Sequence, residues 1–201
     1  MKSDVIHVKN TGLGFTQALE QAELVAKYKN LSEKNKLHLQ LLTEEMMGMM
    51  HALTGEKEAD FWIDDSGNVY ALHLMVETLM NAEMRKNLLA ASKSGKNVAA
   101  TGFTGKLRDL FERIMEPTSD DFDADMMIGM DYAYTSADFG GFSAAVAGIW
   151  SLQSYKSAFE ERNEPKEKWD ELEKSVIARL ADDVKIGIAG QNVEMIIIKK
   201  F

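Results

Sequence analysis

The chain has 201 residues, no cysteine and two prolines, with 45% hydrophobic and 27% charged residues, a globular composition that excludes general disorder and predicts one domain over 1–201 without disulfide or thiolate-metal staples. Its formal net charge of −9 opposes wholesale binding to nucleic acid or to an anionic membrane, since both reward a basic face. No apolar run approaches the ~18 residues of a membrane span, and residues 1–14 lack the basic-then-apolar order of a secretory signal, so a soluble cytoplasmic protein is the expectation.

In chain order, Phe15, Ala18, Leu19, Ala22, Val25 and Ala26 recur at helical steps and predict a helix over 15–29. Ser32 is placed to cap a second helix, whose stripe is Leu39, Leu42, Met46, Met49 and Leu53 and whose end is Gly55. The period then changes. Residues 59–64 read as a strand, Asp64 to Asn68 as a turn, and 69–76 as the return strand of a hairpin. A helix is predicted over 80–91, followed by the polar glycine loop Ser92-Lys93-Ser94-Gly95-Lys96-Asn97. Gly102 and Gly105 bracket a break, and Leu107, Leu110, Phe111 and Ile114 predict a helix over 106–115.

From Glu116 to Asp125 the chain carries five acids and no base, which predicts an exposed loop or insertion. Residues 143–161 read as a helix anchored by Trp150 and Phe159, and Pro165 suits the first turn of the next helix, which carries Trp169, Leu172, Val176 and Leu180. Val184 to Ile188 and Val193 to Ile198 flank Gly190-Gln191-Asn192 as a terminal hairpin. Strands therefore come in adjacent pairs rather than alternating singly with helices. That order predicts an α+β two-layer sandwich, with helices on one face of a mainly antiparallel mixed sheet.

The segment from Ala18 to Ser32, followed by Leu39-Gln-Leu-Leu-Thr-Glu-Glu-Met-Met-Gly-Met49, resembles the opening of Bergerat-fold (GHKL) ATPase-like domains, most closely the anti-sigma-factor serine kinase branch. The hairpin 61–76, the glycine-bearing stretch 95–105 and the terminal hairpin 184–199 are similar to the later parts of that pattern. The resemblance covers about 15–115 and the end of the chain, leaving 116–183 as an insertion or elaboration. It implies ATP as cofactor, an ATP-dependent serine kinase or ATPase as the ancestral activity, and another signalling protein as partner, with a homodimer compatible.

By that resemblance Glu45 is the general base and Glu44 its acidic neighbour in the nucleotide site. Glu77 stands for the adenine-side acid, and Lys96, Asn97, Gly102 and Gly105 form the lid. The position of the family's magnesium-binding asparagine is Met49. A thioether is a poor ligand for a hard cation, so magnesium is disfavoured and no metal ligand is assigned. The family's two glycines after the adenine-side acid are absent from Val76-Glu77-Thr78-Leu79-Met80. The resemblance thus implies a regulatory protein that binds ATP weakly or has lost catalysis.

Read from the residues alone, Glu44 and Glu45 are equally well two solvated charges on a polar helix face. The loop 92–97 is no Walker A motif, because no glycine lies five residues before Gly95 and Asn97 follows the lysine. Asp121, Asp123 and Asp125 start a calcium-loop pattern that Met126 and Tyr132 break. His7, His38, His51 and His73 show no metal-pair spacing, and His73 is expected to face solvent or a partner. The methionines at 46, 47, 49 and 50 make two faces of one helix apolar. That helix is buried on both sides, or one side is a binding surface. A non-enzymatic interaction module and a small-molecule sensor with a methionine-lined pocket are therefore the alternative readings.

Overall fold

The computed structural model describes residues 1–53, 57–77, 104, 105, 107, 108, 110, 111, 147–162, 174–189 and 192–201. The predicted helix over 80–91, the glycine loop 92–97, the acidic stretch 116–125 and the helix start at Pro165 lie outside them. Six strands form one sheet: β1 (Ile6–Lys9), β2 (Glu58–Ser66), β3 (Val69–Glu77), β4 (Ala147–Ser151), β5 (Asp183–Ala189) and β6 (Asn192–Lys200). Their spatial order is β1-β2-β3-β6-β5-β4. Two three-strand units, one from each half of the chain, meet where β3 pairs with β6 from Val69↔Lys200 to Glu77↔Asn192.

Every described ladder is antiparallel, so the expected mixed sheet is antiparallel throughout the described residues. The hairpin β2–β3 turns at Gly67, whose φ of 66° is left-handed, as a two-residue connection between right-twisted strands requires. Four helices have described bounds, α1 (Phe15–Tyr28), α2 (Glu33–His51), α3 (Leu152–Arg162) and α4 (Val176–Leu180), and the described residues among 104–111 are helical as well. Their buried residues join one core cluster with alternate residues of the strands, including Phe61, Ile63, Leu72, Leu74, Val184, Met195 and Ile197. The helices thus lie on one face, giving the predicted α+β two-layer sandwich.

Local chemistry explains most boundaries. α1 starts at Gly14, whose φ is 83° and where an added Cβ would collide with the His7 carbonyl. Only glycine suits both the backbone angle and the close approach of β1. α1 then stops before Asn30, the one non-glycine residue with positive φ among the described residues. Ser32 caps α2 by accepting the Asn35 N–H at 3.3 Å.

Two expectations need correction. Residues 143–161 were predicted helical, but Ala147–Ser151 form strand β4 and the helix starts at Leu152. A short apolar run has no period of its own, and pairing with β5 decides it: Trp150 sits opposite Ile186 and Ser151 opposite Lys185. Ser151 also caps α3, accepting the Ser154 N–H at 3.0 Å, while the Asp183 carboxylate accepts the Gln153 N–H at 3.1 Å. The described part of 116–183 is in this way built into the sheet and core.

His73, expected to face solvent or a partner, is fully buried. It lies on the sheet face opposite the helices. Its Nδ1 lies 2.7 Å from Glu194 Oε1, and its ring stacks on Trp62 at 4.7 Å between centroids. The Trp62 indole N–H in turn donates to Asp64 at 3.0 Å. Alternation places His73 on the face of β3 away from Leu72 and Leu74. What period 2 does not carry is the identity of the cross-strand neighbours that bury it.

Candidate functional site

α2 is buried along two adjoining stripes. Leu39, Leu42, Met46 and Met50 face the sheet at three- and four-residue steps, and Met47 and Met49 are buried as well. Beside the sheet-facing stripe, Glu44, Glu45, Gly48, Met49 and Ala52 form one wall of a cavity of about 280 Å³. Those positions repeat at helical spacing and so present a continuous surface.

The opposite wall comes from Thr104, Gly105 and Arg108, on residues 104–111, whose described members are helical. Leu107, Leu110 and Phe111 are buried in the core, which turns Thr104 and Arg108, one turn apart, toward α2. A further tie holds this wall. Thr104 Oγ1 lies 3.2 Å from Ser175 Oγ, and Ser175 is the residue capping α4 through the Ala178 N–H. α4 packs in turn against α2.

Gly48 needs its own explanation. A glycine inside a helix costs about 0.5–1 kcal/mol relative to alanine, yet a Cβ at Gly48 would meet no atom within 4 Å. Packing does not demand the glycine. Its missing side chain leaves the cavity floor open.

The cavity is electrically uneven. Burial, and secondarily the charge of Glu44, push the Glu45 carboxyl above the usual carboxylate range. That is the direction a proton acceptor working near neutrality needs. Arg108 brings a permanent cation to the other wall. Phosphate oxygens suit the Arg108 side, and hydroxyl or amine donors suit the two acids.

The wall position four residues beyond Glu45 is Met49, whose thioether offers no oxygen, so the acidic oxygen donors of this wall are Glu44 and Glu45.

Of the residues singled out in the sequence, the structure brings Glu44, Glu45 and Gly105 to this cavity, with Met49 beside them. Glu77 is not brought there, which corrects its assignment to the same site. Leu74 and Val76 belong to the helix-side core, so Met75 and Glu77 alternate onto the reverse face. Glu77 lines a separate groove there with His7, Glu58, Asp60 and Asn192. In that groove His7 lies 3.2 Å from both Asp60 and Glu58, and Asp60 chiefly raises its pKa against the opposing effect of burial.

Lys96, Asn97 and Gly102 lie outside the described residues. Sequence reasoning missed Gly48, Thr104 and Arg108. The available signal was spacing: Thr104 and Arg108 are four residues apart, on a helix flank that adjoins the apolar stripe of Leu107, Leu110 and Phe111. No protein-family model, no curated protein and no solved structure matches the chain.

Proposed function

We propose that this protein is a regulatory domain of Bergerat-like, anti-sigma-kinase-like descent that binds a nucleotide at the Glu45 cavity, with catalysis weakened or lost. Its partner is another signalling protein. One observation carries the reading. Glu44 and Glu45, some sixty residues before Gly105, share a single cavity with it, and these are segments that the sequence resemblance assigned to one nucleotide site. The raised Glu45 pKa supports a former or residual base, and Met49 at the metal position supports weakened phosphoryl transfer.

Thermal unfolding with millimolar ATP, in magnesium and in EDTA, tests the reading. Ligand binding to the folded state adds RT ln(1 + [L]/Kd), about 2.7 kcal/mol at a hundredfold excess over Kd. A rise in Tm is expected in at least one condition. Gly48→Leu, whose side chain would occupy the cavity, should keep the fold and lose the response. No rise in either condition would remove the nucleotide reading.

That outcome would favour the second reading, a non-enzymatic interaction module or small-molecule sensor. The burial of all four methionines in 46–50 supports it. A flexible thioether lining accommodates varied apolar shapes.

A further inference from the structure

We propose that the outward row of α1 joins two copies of this chain, their α1 helices packing antiparallel about a two-fold axis beside Leu24. The surface lies away from the Glu45 cavity, and the inference does not depend on the nucleotide reading.

Among the described residues, the three most exposed large apolar side chains are Leu13, Leu24 and Tyr28, all within α1 or the turn that leads into it. Leu24 is 59% and Tyr28 70% exposed. They sit one helical turn apart, and Gln21 and Gln17 continue the same row at three- and four-residue steps. α1 turns Ala18, Ala22, Val25 and Ala26 into the core, and its Glu23 flank meets α2, where Glu23 pairs with Lys36 at 3.1 Å. At 3.6 residues per turn, the row from Gln17 to Tyr28 points about a third of a turn away from both. It is an uncharged, partly apolar face that neither the sheet nor α2 covers.

Charge selects the occupant. With a net charge of −9, two copies repel unless they meet where charge is absent or matched. Glu20 and Lys27 border the row, four residues before Leu24 and three after it. An antiparallel copy sets Glu20 of each chain opposite Lys27 of the other. It also sets Leu24 beside Leu24 and places Tyr28 between Gln17 and Gln21 of the other copy. A parallel copy would set acid against acid and base against base. Lys27 pairs with Glu23 of its own helix at 3.0 Å, and an exposed ammonium has donors left for a second carboxylate. Four side chains make a small interface, so the dimer is weak, with Kd on the order of 10–100 μM.

Sedimentation velocity of the full chain from about 5 to 500 μM brackets that affinity and should show monomer giving way to dimer. Leu24→Glu changes an exposed position, so it should keep the wild-type Tm and weaken dimerisation roughly tenfold or more by placing a charge in the contact. Glu20→Lys should weaken the dimer severalfold, and adding Lys27→Glu should restore it. The chain has no cysteine, so a single introduced thiol reports the geometry. Leu24→Cys should cross-link two copies under mild oxidation. Gln17→Cys, about 20 Å from its counterpart in the antiparallel pair, should not.

A chain that stays monomeric throughout would overturn the inference and leave the row to a different protein. So would a dimer that Leu24→Glu leaves intact, or one that cross-links through Gln17→Cys instead of Leu24→Cys. A Glu20→Lys defect that Lys27→Glu fails to repair would overturn it as well. The concentration series on the unaltered chain needs no variant, so it stands even if one of them fails to fold.

Discussion

The two faces of the sheet bury side chains of opposite character. Toward the helices, Phe61, Ile63, Leu72 and Leu74 are buried among the methionines of α2. On the reverse, the neighbouring residues Trp62 and His73 are buried with Glu194, Ile196 and Lys185. Adjacent residues of one strand thus meet different rules. On the helix face, volume and shape set stability. On the reverse face, each buried polar group must have a partner, because an unpaired one forfeits hydration without compensation.

The largest test of this contrast is on the helix side. Phe61 has no exposed surface, so Phe61→Ala should cost about 3–5 kcal/mol through lost burial and the cavity left behind. Urea denaturation reads this as a lower midpoint with unchanged slope. A cost below 1 kcal/mol would mean that the α2 side relaxes freely and is not a packed core.

The reverse face should respond to pairing rather than volume. Glu194→Ala removes the carboxylate 2.7 Å from His73 Nδ1 and should cost about 1.5–3 kcal/mol, the range for a hydrogen bond to a charged group. Replacing His73 and Glu194 together by apolar residues of similar size should cost less than the two single changes summed. Additive losses would show that the two side chains do not act as a pair.

The smallest effect lies at the cavity. Burial raises the Glu45 pKa in the folded state, so the folded protein binds more protons than the unfolded chain above the ordinary carboxylate pKa. Stability linked to Glu45 therefore falls as pH rises through that window. Glu45→Gln should be more stable than wild type at neutral pH and converge with it in acid, measured as Tm against pH. An unchanged difference across that range would place the Glu45 carboxyl in water.

Much of this architecture was legible in the residues, for physical reasons. α1 announced itself through Ala18, Ala22, Val25 and Ala26, and α2 through Ser32 and its methionines, because helical bonds and caps are local. The two hairpins were legible because Gly67 and the sequence Gly190-Gln191-Asn192 are short turn signals between apolar runs, and Ala189 pairs with Asn192. Strand β1, only four residues long, was missed, and β4 was read as helix. Both are edge strands whose conformation is decided by partners far along the chain, Phe61 for Ile6 and Ile186 for Trp150.

The candidate site divides the same way. Residue type and spacing in the chain singled out Glu44, Glu45, Met49 and Gly105. Folding decided that Glu77 points to the other side of the sheet, that Arg108 joins the acids, and that His73 lies buried against Glu194. Helix periods and turns depend on neighbours within a few residues, whereas a cavity needs walls from distant segments. Only the packed core, which carries 104–111 to α2, sets those walls together.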